Sequence, residues 1–143
     1  MFITHAHREL VRTYGTLYAR IIVGFLFITA GIGKIGSGYG FGGGYEGTVQ
    51  YLASTGLPMP ELLVLAAIVL EIGGGLGVLL GYYFAESAAA LVFVCFFTAF
   101  FLHNDFTNGM QKTMFFKNIT IAGGLLYMIA FGPGNGWKYG TKD

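Results

Sequence analysis

The sequence predicts an all-α protein: a four-helix transmembrane bundle with both termini cytoplasmic and a short interfacial helix in the first outer loop. Three observations carry that prediction. The 143 residues are 55% hydrophobic and only 10% charged, with a mean hydropathy of +0.65, too apolar for a soluble domain. Four apolar segments approach the roughly 20 residues a helix needs to cross a hydrocarbon core of about 30 Å. Finally, Arg8, Arg12 and Arg20 flank the first segment and Lys138 and Lys142 follow the last, while the loop 36–61 has no Lys or Arg. Cytoplasmic flanks are enriched in such residues, which places both ends in the cytoplasm. Lys112 and Lys117 are the contrary charges.

The expected spans of a single domain, 1–143, lie near 14–35, 62–84, 87–104 and 113–132. The opening "MFITHAHRELVRTYGTLYAR" is polar for too long to be a signal-peptide n-region, and no small-x-small site cleanly follows the first apolar run, so the first span is expected to be retained. At about 100° per residue, Arg20, Gly24, Phe27, Gly31 and Lys34 fall within about 80° of one another, a small and charged stripe that should face protein.

The loop after the first span divides in two. Its glycine-rich half, 36–44, has no preceding strand and no GK[ST], so it reads as a flexible or backbone-crowded loop and not as a phosphate cradle. Its second half, "YEGTVQYLASTG", puts Val49, Leu52 and Ala53 at helical spacing ahead of Gly56, the pattern of a short helix ended by glycine. "LPMP" then stiffens the approach to the second span.

In the second span, Gly73, Gly77 and Gly81 form a GxxxGxxxG ridge suited to close packing, and Glu71 shares a different face with Gly74, Gly75 and Val78. The third span holds the lone Cys95 within "LVFVCFFTAFFL"; without a partner or a CxxC it reads as a buried, inert thiol. The fourth reaches useful length only if it begins near Thr113, which brings Lys117 and Asn118 into its first turns. "EIGGGLGVLLG" and "IAGGLLYMIAFG" are loosely alike, a likeness that glycine-rich composition alone produces.

Glu71 is the anomaly. It lies about ten residues, or roughly 15 Å, from the outer end of its helix, near the bilayer midplane. A carboxylate there costs about 2.5 to 3.5 kcal/mol on insertion scales, so it should turn inward and be paired or protonated. Lys34 and Lys117 are the candidate partners. With this topology Lys34, His103, Asp105, Lys117 and Asn118 are expected to converge above Glu71 in one half of the bundle. The cluster reads either as an ion-paired plug that fixes helix order or as a polar pocket for a small molecule, with Glu71 exchanging a proton.

Several classes are disfavoured. Lys and Arg number eight, spread singly over a net charge of +1, so no basic patch for nucleic acid exists. The His and Cys residues do not make a zinc or haem set, and no metal site is expected. A Ser/His/Asp arrangement has no supporting motif either.

The segments "RIIVGFLFITAGIGK", "GTVQYLASTGLPMP", "LEIGGGLGVLLG", His103 and "FKNITIAGGLLYMIAFGPG" together resemble the DoxX family of small four-helix bacterial membrane proteins, from about Arg20 to Gly134. The resemblance implies location in the bacterial inner (plasma) membrane and redox work near the quinone pool. By motif position it carries the family's recurrent polar residues onto Arg20, Lys34, Glu71, His103, Lys117 and Asn118. The turn "GYYFAES", where relatives often place an arginine, departs from the pattern, as does the glycine-rich 36–44 stretch.

The reading that follows is a quinone-linked membrane redox subunit or partner of an oxidoreductase. Glu71 is its catalytic candidate, Lys34, His103, Lys117 and Asn118 its ligand-binding candidates, and Arg20 and Asp105 structural polar residues. Quinone is the expected cofactor, and the expected partners are the bilayer, a soluble or membrane redox protein and further copies of the chain. The alternative is a non-catalytic membrane scaffold or stress-associated assembly factor. A transporter ranks third, because a single four-helix chain needs to oligomerise to build an alternating-access path.

Overall fold

Each helix begins and ends where the local chemistry requires it. In the computed structural model, which describes residues 4–36, 43–137 and 139, α1 runs His5–Ile35. The Thr4 hydroxyl caps its first turn by accepting from the His7 amide, and it ends where Gly36 turns extended. A π-helical turn, Val11–Gly15, interrupts it ahead of the apolar run. The helix therefore starts nine residues before the expected span.

The short interfacial helix exists as α2, Gly44–Ser54. Of the three apolar residues expected to seat it, only Leu52 is buried; Val49 is half-buried and Ala53 exposed. The expectation for the glycine-rich stretch 36–44 falls largely on 37–42, outside the described residues.

Helix α3, Pro60–Leu80, starts with proline at its first position, where a missing N–H costs nothing. It stops at Gly81, whose φ of 70° is left-handed and whose amide reaches back to the Val78 carbonyl. After a tight turn through Tyr83, α4 runs Phe84–Leu102 and closes in a second π-helical turn, Thr98–Leu102. Helix α5, Gly109–Phe131, begins four residues before the expected Thr113, because the Asn108 side chain accepts from the amides of Met110 and Gln111. That shift places Lys117 and Asn118 about two turns into the helix.

Helices α1, α3, α4 and α5 are each long and apolar enough to span a membrane, and no strand occurs among the described residues. They run alternately up and down. Gly24 of α1 faces Gly75 of α3 and Gly31 faces Ile72, while Gly74 and Gly77 of α3 face Leu91 and Ser87 of α4. A Cβ added at Gly24 would lie 2.8 Å from the Gly75 carbonyl oxygen, and one at Gly75 would lie 2.9 Å from that of Gly24. Backbone here touches backbone, which only glycine permits.

The ridge expected at Gly73, Gly77 and Gly81 is therefore not one contact surface. Gly73 is exposed with nothing near it, Gly77 packs on Ser87, and Gly81 is the helix terminator. The loose repeat dissolves too, since Gly123 and Gly124 of α5 touch nothing comparable to the neighbours of Gly74 and Gly75. Helix α5 instead buries Ala122, Leu125 and Met128 in a core shared with Leu91, Val94 and Cys95 of α4 and Phe27 of α1.

Four crossings bring both ends of the chain to one side. At that side Arg20 is fully buried, and its guanidinium donates four hydrogen bonds, all to backbone carbonyls. Nε reaches Val78 at 3.0 Å and Nη2 reaches Leu79 at 2.9 Å, at the C-terminus of α3. Nη1 reaches Pro133 and Trp137, beyond the end of α5. The amide of Tyr139 adds a bond to the Leu80 carbonyl. A cation at a helix C-terminus meets unpaired carbonyls and the negative end of the dipole, which is how this one is held without a carboxylate among the described residues.

Candidate functional site

The expected stripe on α1 is buried as read: Arg20, Gly24, Phe27 and Gly31 all face the interior. Its last member, Lys34, reaches Glu71. The ammonium lies 2.9 Å from Oε1 and 2.6 Å from Oε2, and its third donor goes to the Ala30 carbonyl at 3.3 Å. Gly31 makes this contact possible, because a Cβ there would lie 3.3 Å from the Glu71 Cβ and closer still to Ile72. The Glu71 side chain is 8% exposed and that of Lys34 18%. The Glu71 charge thus has a partner from the neighbouring helix, as a charge at this depth requires.

The pair lies at the edge of a cavity of about 410 Å³. Close packing at Gly74 and Gly77 joins α3 to α4 toward the Arg20 side, and the opposite halves of the same helices line the cavity. Leu63, Ala67 and Leu70 form one wall and Phe93, Val94 and Phe97 the other. Helix α2 contributes Gly47, Thr48, Tyr51 and Leu52. Phe93 lines the cavity and is also 60% exposed, so the cavity reaches the surface that faces lipid.

At its far side His103 closes a hydrogen-bonded chain. Its Nδ1 meets Oε1 of Gln111, Nε2 of Gln111 donates to the Tyr51 hydroxyl, and that hydroxyl donates to the Leu102 carbonyl. Since the Tyr51 proton goes to Leu102 and the Gln111 amide nitrogen goes to Tyr51, Nδ1 of His103 faces the Gln111 oxygen, which can only accept, and donates to it. Three elements, α2, the π-helical end of α4 and the first turn of α5, are joined there.

Lys34, Glu71 and His103 therefore come together around one cavity. Lys117 and Asn118 do not: Lys117 is exposed on α5, Asn118 donates to the Met114 carbonyl within its own helix, and neither lines the cavity. Of the five polar residues expected to converge above Glu71, Lys34 and His103 do; Lys117 and Asn118 lie about two turns into α5, with Lys117 exposed and Asn118 bonded within its own helix. Asp105 is exposed in the α4–α5 connection, where the hydroxyl and then the amide of Thr107 hold its carboxyl below the usual carboxylate range. Tyr51 and Gln111 were not singled out by the sequence; an aromatic and an amide on polar stretches carry no spacing signal. Among the described residues no group of three or more His, Cys, Asp or Glu side chains could hold a metal.

The four spans, the buried ion pair and the lipid-reaching cavity define a small multi-pass membrane protein. A family model for DoxX matches residues 15–104, and the chain belongs to that family. It is 42% identical to the inner membrane protein YqjF of Escherichia coli K12, over 84% of this chain and 85% of the relative. It is also 37% identical to the inner membrane protein YphA of the same organism, over 82% and 83% of the two. No solved structure matches. The chain is accordingly a multi-pass inner membrane protein.

Proposed function

We propose that the cavity binds the head of a quinone and that the chain acts as a quinone-linked membrane redox subunit or as the partner of an oxidoreductase. One observation carries this reading: an apolar, aromatic-walled cavity that reaches lipid and ends on the Lys34–Glu71 pair. Its volume suits a small ring, and ligand sites in general pair apolar walls with a few placed polar groups. Phe93 and Phe97 offer faces for the ring, Glu71 stands where a proton can be exchanged, and an isoprenoid tail can leave past Phe93 into lipid. Electrons are carried by a separate redox protein, soluble or in the membrane. With both termini in the cytoplasm, the cavity opens in the outer leaflet.

The test uses Gly47, which lines the cavity and where a Cβ meets nothing within 4 Å. Protein purified in mild detergent is extracted with organic solvent and its quinone quantified. Wild type retains quinone, and Gly47→Leu retains several-fold less at an unchanged unfolding midpoint. Equal quinone in both, or none in wild type, refutes the reading.

A second reading, a non-catalytic scaffold or assembly factor, is favoured by the saturation of Arg20 and Lys34 within the fold. It predicts no quinone, misfolding of Glu71→Gln, and capture of an assembly, with or without copies of this chain, from native membranes.

A further inference from the structure

The polar side chains of the cavity differ in kind from a random set. Six line it: Lys34, Thr48, Tyr51, Glu71, Thr98 and His103. Lys34 directs its three donors to the two oxygens of Glu71 and to the Ala30 carbonyl. Were a proton to pass from Lys34 to Glu71, it would still lie between the two. The Thr48 hydroxyl donates to the Gly44 carbonyl at 2.7 Å and the Thr98 hydroxyl to the Val94 carbonyl at 2.7 Å. Tyr51 donates to Leu102, and the Nδ1 proton of His103 is held by Gln111.

Every proton on Lys34, Thr48, Tyr51 and Thr98, and the Nδ1 proton of His103, is already engaged with protein. What they leave toward the cavity is lone pairs: the carboxylate of Glu71 and the hydroxyl oxygens of Thr48, Tyr51 and Thr98. A ligand whose polar atoms only accept, such as a quinone with two carbonyls, finds no free donor on Lys34, Thr48, Tyr51 or Thr98. A ligand with hydroxyl donors satisfies both itself and the lining.

We infer that the cavity selects the reduced, hydroxyl-bearing ring over the oxidised one: it is a site for a quinol, an aromatic diol, and discriminates against the quinone of the same skeleton. The inference rests on the quinone-linked reading above and specifies which redox form the site holds. Glu71 at one end and the Tyr51 hydroxyl oxygen at the other are its acceptors. Sites built to pair a substrate hydroxyl reject analogues that lack it far more strongly than shape alone permits.

Three probes on one ring skeleton decide the matter, measured by equilibrium binding to the purified full chain under argon: a short-chain menaquinone analogue, its quinol, and the dimethyl ether of that quinol. The quinol is expected to bind at least about tenfold more tightly than either of the others, the difference made by one well-placed hydrogen bond. Gly47→Leu should weaken the quinol several-fold, which locates the binding in this cavity. Quinone binding as tight as quinol, or an ether as tight as the quinol, overturns the inference while leaving a quinone site in place. Quinol binding unaffected by Gly47→Leu overturns its assignment to this cavity. Binding of none of the three overturns both the inference and the reading on which it rests.

Discussion

Lys34 and Glu71 join α1 to α3 through a two-point contact, Nζ to Oε2 at 2.6 Å and to Oε1 at 2.9 Å, inside the apolar part of the bundle. Removing one partner leaves a charge with no water to receive it, at a cost of about 3 to 5 kcal/mol. Lys34→Met and Glu71→Gln should each lower the unfolding midpoint in detergent strongly. The double variant Lys34→Met, Glu71→Gln should recover most of the loss, because no unpaired charge remains. If the double variant is as unstable as the sum of the singles, the two residues do not act as a pair.

The glycines of the chain should split into two groups under the same substitution. Gly24→Ala and Gly75→Ala each push a methyl group into opposing backbone and should lose about 1 to 3 kcal/mol, as overpacking does. Gly73→Ala and Gly123→Ala meet open space and should be neutral or gain up to about 1 kcal/mol from helix propensity. Chemical or thermal unfolding of the four variants measures this; equal losses in all four would contradict the assigned seams.

Arg20→Lys keeps the charge and loses the fork. One ammonium cannot span the Val78 and Leu79 carbonyls on one side and Pro133 and Trp137 on the other. A loss of about 2 kcal/mol or more is expected, hydrogen bonds to a charged group being worth about 1.5 to 3 kcal/mol. Limited proteolysis should show earlier cleavage beyond Phe131. A wild-type cleavage pattern in Arg20→Lys would mean that the tail is held by other contacts.

Cys95 is the single cysteine and fully buried, so the wild-type chain is a silent background for thiol labelling. With cytoplasmic termini, a membrane-impermeant maleimide added to intact cells should label Thr107→Cys and spare Arg8→Cys until the membrane is opened. The reverse pattern inverts the proposed orientation.

The four spans were legible because apolar length is a composition property, and the buried stripe of α1 because a period of 3.6 survives in any rigid helix. The Lys34–Glu71 contact was legible as one of two pairings. Spacing alone could not choose between Lys34 and Lys117; the choice follows from the close approach of α1 to α3 at Gly31, which brings Lys34 onto Glu71. The glycine ridge misled for a different reason. A GxxxG spacing marks one face of a helix, but which glycines touch a neighbour depends on the crossing of the helices, and Gly74 and Gly75 won over Gly73. Gln111 meets His103 8 positions away and Tyr51 60 positions away, linking three different elements, a relation that leaves no local trace.

The Arg20 clamp also orders the birth of the protein. Its carbonyl partners at Pro133 and Trp137 lie 113 and 117 positions downstream, so the guanidinium enters the membrane long before the ribosome has made the atoms that complete its shell. Insertion of the first helix is thus left unfinished until the last has crossed. A chain interrupted after Phe131 retains all four spans, yet presents a half-satisfied cation at the rim nearest its termini, a mark by which an incomplete product differs chemically from a finished one.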